Sequence, residues 1–103
     1  MTEQKRALLE SAIETFGADN QVLKAMEEMG ELIQAIVKAR ITRNDARRAA
    51  AIDHVCEEIA DVRLTLDQLC MILGTEERVG QWEYAKMARL REKIDATRPW
   101  EGR

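Results

Sequence analysis

The stretch from Ile52 to Leu73, IDHVCEEIADVRLTLDQLCMIL, decides the fold class. Its apolar residues Ile52, Val55, Ile59, Val62, Leu66, Leu69 and Ile72 recur every three or four positions, the period of one helical face and not the alternation of a strand. No glycine or proline interrupts it, and Gly74 follows where helices commonly end in a left-handed residue. Before it, ITRNDARR at residues 41–48 is the least apolar stretch and is expected to form a loop, with Asn44 or Asp45 capping the next helix. Further back, Val22, Leu23, Met26, Met29, Ile33, Ile36 and Val37 mark a helix from Asp19 or Asn20 to about Arg40. Leu8, Leu9, Ala12 and Ile13 mark another over about Thr2 to Thr15, stopped at Phe16-Gly17-Ala18. Beyond Gly74, Thr75 can cap a last helix over about Glu76 to Ala96, ended by Arg98-Pro99 and followed by Trp100-Glu101-Gly102-Arg103. The expectation is an all-α fold of about four helices in a single domain spanning residues 1–103.

Composition agrees. Among 103 residues there are only one proline and five glycines, which argues against a turn-rich β fold, a collagenous chain or a flexible linker. A chain this short buries roughly two-thirds of its unfolded surface, so a core completed by homo-oligomerisation, as a dimer or tetramer, is expected. Charges break every apolar run, which excludes a membrane span. MTEQKRALLE lacks the apolar centre of a signal peptide, so a cytoplasmic protein is expected. With 16 basic and 19 acidic side chains and no recognisable module, nucleic-acid binding is disfavoured. Cys56 and Cys70, on one helix, would stand about 21 Å apart. They cannot pair there, and buried free thiols are expected.

The chemistry lies in two acidic clusters, Glu27-Glu28-Met29-Gly30-Glu31 and Glu57-Glu58-Ile59-Ala60-Asp61. Glu28 with Glu31, and Glu58 with Asp61, are three apart on a helical face, where Cβ atoms lie about 5–6 Å from one another. Like charges at that spacing destabilise a free helix, and a divalent cation relieves the repulsion; an all-oxygen donor set suits Mg²⁺ or Mn²⁺. One such pair is ordinarily a solvated surface. Two pairs within apolar helices make a metal site an even competitor. Gly30 adds to this, since a glycine inside a helix costs about 1 kcal/mol relative to alanine unless something closely approaches the backbone.

These residues carry a resemblance. Glu28-x-x-Glu31, a gap of 26 residues, then Glu58-x-x-Asp61 resembles the signature of the MazG-like, all-α nucleoside triphosphate pyrophosphohydrolases. The surrounding FGADNQVLKAMEEMGELIQAIVKAR, HVCEEIADVRLTLDQL and EYAKMARLREKI are similar too, over about Phe16 to Ile94. The resemblance implies a single MazG-like helical domain that hydrolyses (deoxy)nucleoside triphosphates to the monophosphate and pyrophosphate. It implies that Glu28, Glu31, Glu58 and Asp61 hold Mg²⁺, with Mn²⁺ able to substitute. It also implies that Lys86, Arg89 and Arg91 on the tail helix contact phosphates. ITRNDARR and Trp100 match nothing in that pattern.

Other residues admit two readings each. Lys24 and Lys38 fall near the acidic face, as phosphate contacts or, for Lys24 with Glu28, as a surface ion pair. His54, four residues before Glu58, is a ligand, a proton carrier or a local partner. Arg40, Arg43, Arg47 and Arg48 close over phosphates or solvate a turn. Glu27 and Glu57 are candidate bases, turned about 100° from their motif neighbours. Asn20 and Gln21 carry amides suited to a base edge, and Phe16 or Trp82 can stack on a base or fill core. Met26, Met29, Met71 and Met87 are expected to pack helices. A di-iron carboxylate bundle is disfavoured because neither motif has His at the third following position. The alternative from another class is a non-catalytic helical oligomer acting as a partner-binding module.

Overall fold

The computed structural model describes residues 1–98, and Trp100 and its neighbours lie outside the described residues. Four helices follow in order: α1 (Glu3–Phe16), α2 (Ala18–Ile41), α3 (Asp45–Leu73) and α4 (Glu76–Thr97). There is no strand among the described residues. The ends obey local chemistry. The Thr2 hydroxyl accepts from the Lys5 backbone N–H at 3.1 Å and starts α1. Gly17, at φ 93°, is the single residue between α1 and α2, so the boundary expected at Asp19 or Asn20 falls earlier. The Asn20 side-chain amide instead donates to the Phe16 carbonyl at 2.8 Å. Gly74 ends α3 in the left-handed conformation, φ 64° and ψ 38°, with the Thr75 N–H reaching the Cys70 carbonyl at 3.0 Å.

The loop expected over 41–48 is shorter than its polarity suggests. Only Thr42–Asn44 is non-helical, because the Asn44 side chain accepts from the Arg47 N–H at 3.1 Å and Ala46, Arg47 and Arg48 are good helix formers. That tight connection makes α2 and α3 an antiparallel hairpin, the principal packing unit of the chain. α1 lies against both arms, anchored by Leu9 and by the Lys5–Asp67 ion pair at 2.6 Å. The backbone of α4 approaches only α3, and no α4 residue is buried. Arg6 and Glu76 tie its first turn to α1 through two hydrogen bonds of 2.7 and 2.6 Å.

Apart from Val62, the buried residues of the hairpin are not those of the expected stripes. The buried residues are Ala25, Glu28, Ala35 and Ala39 on α2 and Ala51, Glu58, Val62, Thr65 and Gln68 on α3, the two helices that pack most extensively on each other. Small side chains let two helices approach closely, and their three-and-four spacing keeps them facing one another along the hairpin. The large apolar residues of α2 point away: Leu23, Met26, Ile33 and Val37 are all more than half exposed. Gly30 sits in that outward row, and beyond its own helix backbone no heavy atom of the described residues lies within 4 Å of where its Cβ would be, so none of the described residues demands a glycine there. On α4, Val79, Trp82, Met87 and Leu90 line a shallow open groove. The expected packing roles of Met26 and Met87 are therefore unmet within one chain, as is burial of Cys56, which is exposed. The radius of gyration is 18.0 Å, against about 13 Å for a compact chain of 100 residues. Among the described residues no helix is long and apolar enough to cross a membrane.

Candidate metal centre

Two glutamates from opposite arms of the hairpin meet inside the seam. Glu28 is 5% exposed and Glu58 4%. One oxygen of each has a nitrogen neighbour on its own helix: Lys24 Nζ lies 3.1 Å from Glu28 Oε1, and His54 Nε2 lies 3.8 Å from Glu58 Oε1. The other oxygen of each, Glu28 Oε2 and Glu58 Oε2, is buried with no hydrogen-bond partner. Glu31 brings a third carboxylate from the solvent side, with ligand oxygens of Glu28, Glu31 and Glu58 within 4.8 Å of one another.

The electrostatics follow from that placement. Burial pushes the Glu58 carboxyl above the ordinary carboxylate range, and the negative charges of Glu31, Glu28 and Asp61 push in the same direction. The Lys24 ammonium is raised by its hydrogen bond to Glu28. Two buried carboxylate oxygens without donors, on residues grouped with a third carboxylate, offer hard oxygen donors of the kind that could hold a divalent cation. A cation there would satisfy acceptors that no protein group satisfies.

Three of the four expected ligands are thus gathered. Asp61 is half-buried and stands outside the 4.8 Å group, though close enough for its charge to act on Glu58. His54, Glu57 and Glu58 form a second close group on α3, so His54 is the local partner of Glu58 and Glu57 stands beside it. Gln21 and Lys24 line an open hollow of about 530 Å³ with Phe16, Asn20 and Glu27. Lys38 lies toward the hairpin turn, in a cleft that also contains His54. Lys86 and Arg89 are exposed on α4, whose backbone does not approach α2, so within one chain the structure does not bring them to the carboxylates. Arg91 is engaged with Asp95 at 3.5 Å, a spacing set by its own helix. Arg43 and Arg47, unlike Arg40 and Arg48, line the cleft. The sequence offered no basis for that choice until the loop length was known.

An antiparallel helical hairpin whose seam holds two buried glutamates joined by a third, exposed one is the class that fold and site define. No family model, curated protein or solved structure matches the chain.

Proposed function

We propose that the chain is a Mg²⁺-dependent nucleoside triphosphate pyrophosphohydrolase, the activity implied by its resemblance to the MazG-like enzymes. The observation that carries this reading is the pair of buried, unpartnered carboxylate oxygens of Glu28 and Glu58, two residues that form a close acidic group with Glu31. Paired carboxylates on a solvated face leave no buried acceptors unsatisfied. Glu28, Glu31 and Glu58 would hold the cation, and Asp61, whose charge already acts on Glu58, would complete the set. When bound, the ion neutralises phosphate charge and lowers the pKa of a coordinated water. Glu57, beside His54 and Glu58, would take the proton of the attacking water. The water oxygen bonds to the α-phosphorus, the bridge from the α- to the β-phosphate breaks, and nucleoside monophosphate and pyrophosphate leave.

A homo-oligomer, dimeric or tetrameric, belongs to the same proposal. The outward row of Leu23, Met26, Ile33 and Val37 around Gly30 gives a second copy both an apolar surface and room for close helix approach. The acidic composition also makes sense in this reading. Without the six carboxylates of the two motifs, 16 basic residues stand against 13 acidic ones, a basic-leaning scaffold around a concentrated acidic centre.

The test is a panel of ribo- and deoxyribonucleoside triphosphates assayed for pyrophosphate release with and without Mg²⁺. Release that requires the metal and is abolished by Glu58→Gln is the expected result. No release from any nucleotide at micromolar enzyme would sink the reading.

A further inference from the structure

We propose that the cleft at the closed end of the α2–α3 hairpin seats the pyrophosphate portion of the substrate, with Lys38, Arg43 and Arg47 as its anion contacts. This rests on the triphosphate reading of the carboxylate centre and adds to it a direction and a leaving-group site. The cleft has a volume of about 840 Å³, walled by Ala35 and Ala51 and rimmed by Lys38, Arg43 and Arg47, and no acidic residue lines it. None of these three cations has a carboxylate within ion-pair distance among the described residues, a property they share with several exposed lysines and arginines, but these three line a common cleft. Three positive charges are therefore uncommitted in one concave surface. The positive end of the α3 dipole opens beside them, where Asn44 caps the helix.

Helical phase connects this cleft to the metal centre. Lys24, Glu31 and Lys38 are seven residues apart along α2, as are Arg47, His54 and Asp61 along α3, so each set forms a row on one flank of its helix. His54 belongs to both places: it lines the cleft, and its ring lies 3.8 Å from Glu58. From Glu58 to His54 is one helical turn, about 6 Å, and Arg47 follows about 10 Å further along. A chain of phosphates leaving the carboxylates toward the turn thus passes His54 and reaches the guanidinium groups, whose planar forks match phosphate oxygens. The hollow at the other end is different in kind. It holds Phe16, Asn20 and Gln21, and its one cation, Lys24, is already paired with Glu28 while Glu27 adds negative charge. The polyanion therefore points to the hairpin turn and the nucleoside away from it.

The experiment titrates inorganic pyrophosphate into the full chain in chelator, without metal, by calorimetry. The expected result is binding that weakens with added salt and falls at least about tenfold in the Arg43→Gln/Arg47→Gln double variant. Arg40→Gln/Arg48→Gln, at arginines that do not line the cleft, should retain wild-type affinity, and circular dichroism checks that both doubles keep their helices. Absence of pyrophosphate binding, or equal affinity in wild type and the Arg43/Arg47 variant, overturns the inference. Mn²⁺ binding and turnover, measured on the same proteins, separate it from the catalytic reading. A wild type that binds pyrophosphate through these arginines but binds no Mn²⁺ supports the anion site and defeats the enzyme. One that turns over normally, with pyrophosphate binding indifferent to Arg43 and Arg47, does the reverse.

Discussion

Mn²⁺ should raise the melting temperature of the metal-free protein, and Glu58→Gln should melt higher than wild type without metal yet fail to respond to it. The reason is the environment of Glu58, whose second carboxylate oxygen is buried with no donor while burial and three neighbouring acids hold its carboxyl above the ordinary range. For an acid raised by folding, the native state binds the proton more tightly than the unfolded chain does. Its stabilising contribution is complete below the ordinary carboxylate pKa and is lost as pH rises through the raised value. The metal-free melting temperature should therefore fall as pH climbs through that window, and glutamine, which cannot ionise, should remove this part of the slope. Metal binding requires deprotonated ligands, so the increment from Mn²⁺ grows over the same window. At an ion concentration one hundredfold above its Kd the gain is about 2.7 kcal/mol. At about 4–8 °C per kcal/mol for a domain of this length, that is a rise of about 11–22 °C. Scanning calorimetry in chelator and in Mn²⁺, from acid to neutral pH, reads every part of this. A Gln variant that keeps the metal-induced rise would show that Glu58 is not a ligand. A wild-type slope identical to the variant's would refute the raised carboxyl.

Gly30→Ala should stabilise the dilute single chain by about 1 kcal/mol through helix propensity, since its Cβ meets nothing. The same methyl should weaken self-association, and a dilution series that leaves the dissociation constant unchanged would remove Gly30 from the interface. Ile33→Glu, at a residue 64% exposed in one chain, should shift the sedimentation mass toward the monomer with helicity retained; an unchanged mass would exonerate that face. Arg6→Gln should speed amide exchange in the first turn of α4 by releasing Glu76. The hydrogen bond from Arg6 holds the Glu76 carboxyl below its ordinary value, so the link is present above the ordinary carboxylate pKa and lost as pH falls through the depressed one. Wild type and variant should accordingly converge in acid, and a gap that persists there would contradict the ion pair.

The helices and most of their ends were legible because caps and periodicity are local. Gly74 closes α3 and Asn44 opens it for reasons contained within a few residues. What the pattern misled on was which side of α2 faces α3. Leu23, Met26, Ile33 and Val37 carry the strongest hydrophobic signal, so they attract the assignment of core, yet they lie outward. The residues that do meet α3, Ala25, Glu28, Ala35 and Ala39, repeat with the three-and-four spacing of a packed seam, but alanine and glutamate contribute almost nothing to an apolar stripe. The carboxylates were legible as a cluster, and their burial was not. Nor could residue order separate Arg43 and Arg47 from Arg40 and Arg48, because that depends on where a connection of three residues turns the chain.

The inverted hairpin gives a physical reason for the position of the acids. Had Ile33 and Val37 packed between α2 and α3, their bulk would have separated the helices and filled the space where Glu28 and Glu58 converge. Alanines on both arms instead bring the backbones close, so carboxylates from opposite helices can share one point. This arrangement gives up the hydrophobic stabilisation that a small chain most needs and adds like charges in a buried place. Each loss has its own remedy on a different surface. Under the proposed function, a cation would answer the charges inside the seam, and a second copy would answer the apolar row outside it. The two remedies act on opposite faces of α2, with Glu28 on one side and Gly30 on the other. The proposed metal site and the proposed oligomer interface would thus both follow from a single choice of which face of that helix turns inward.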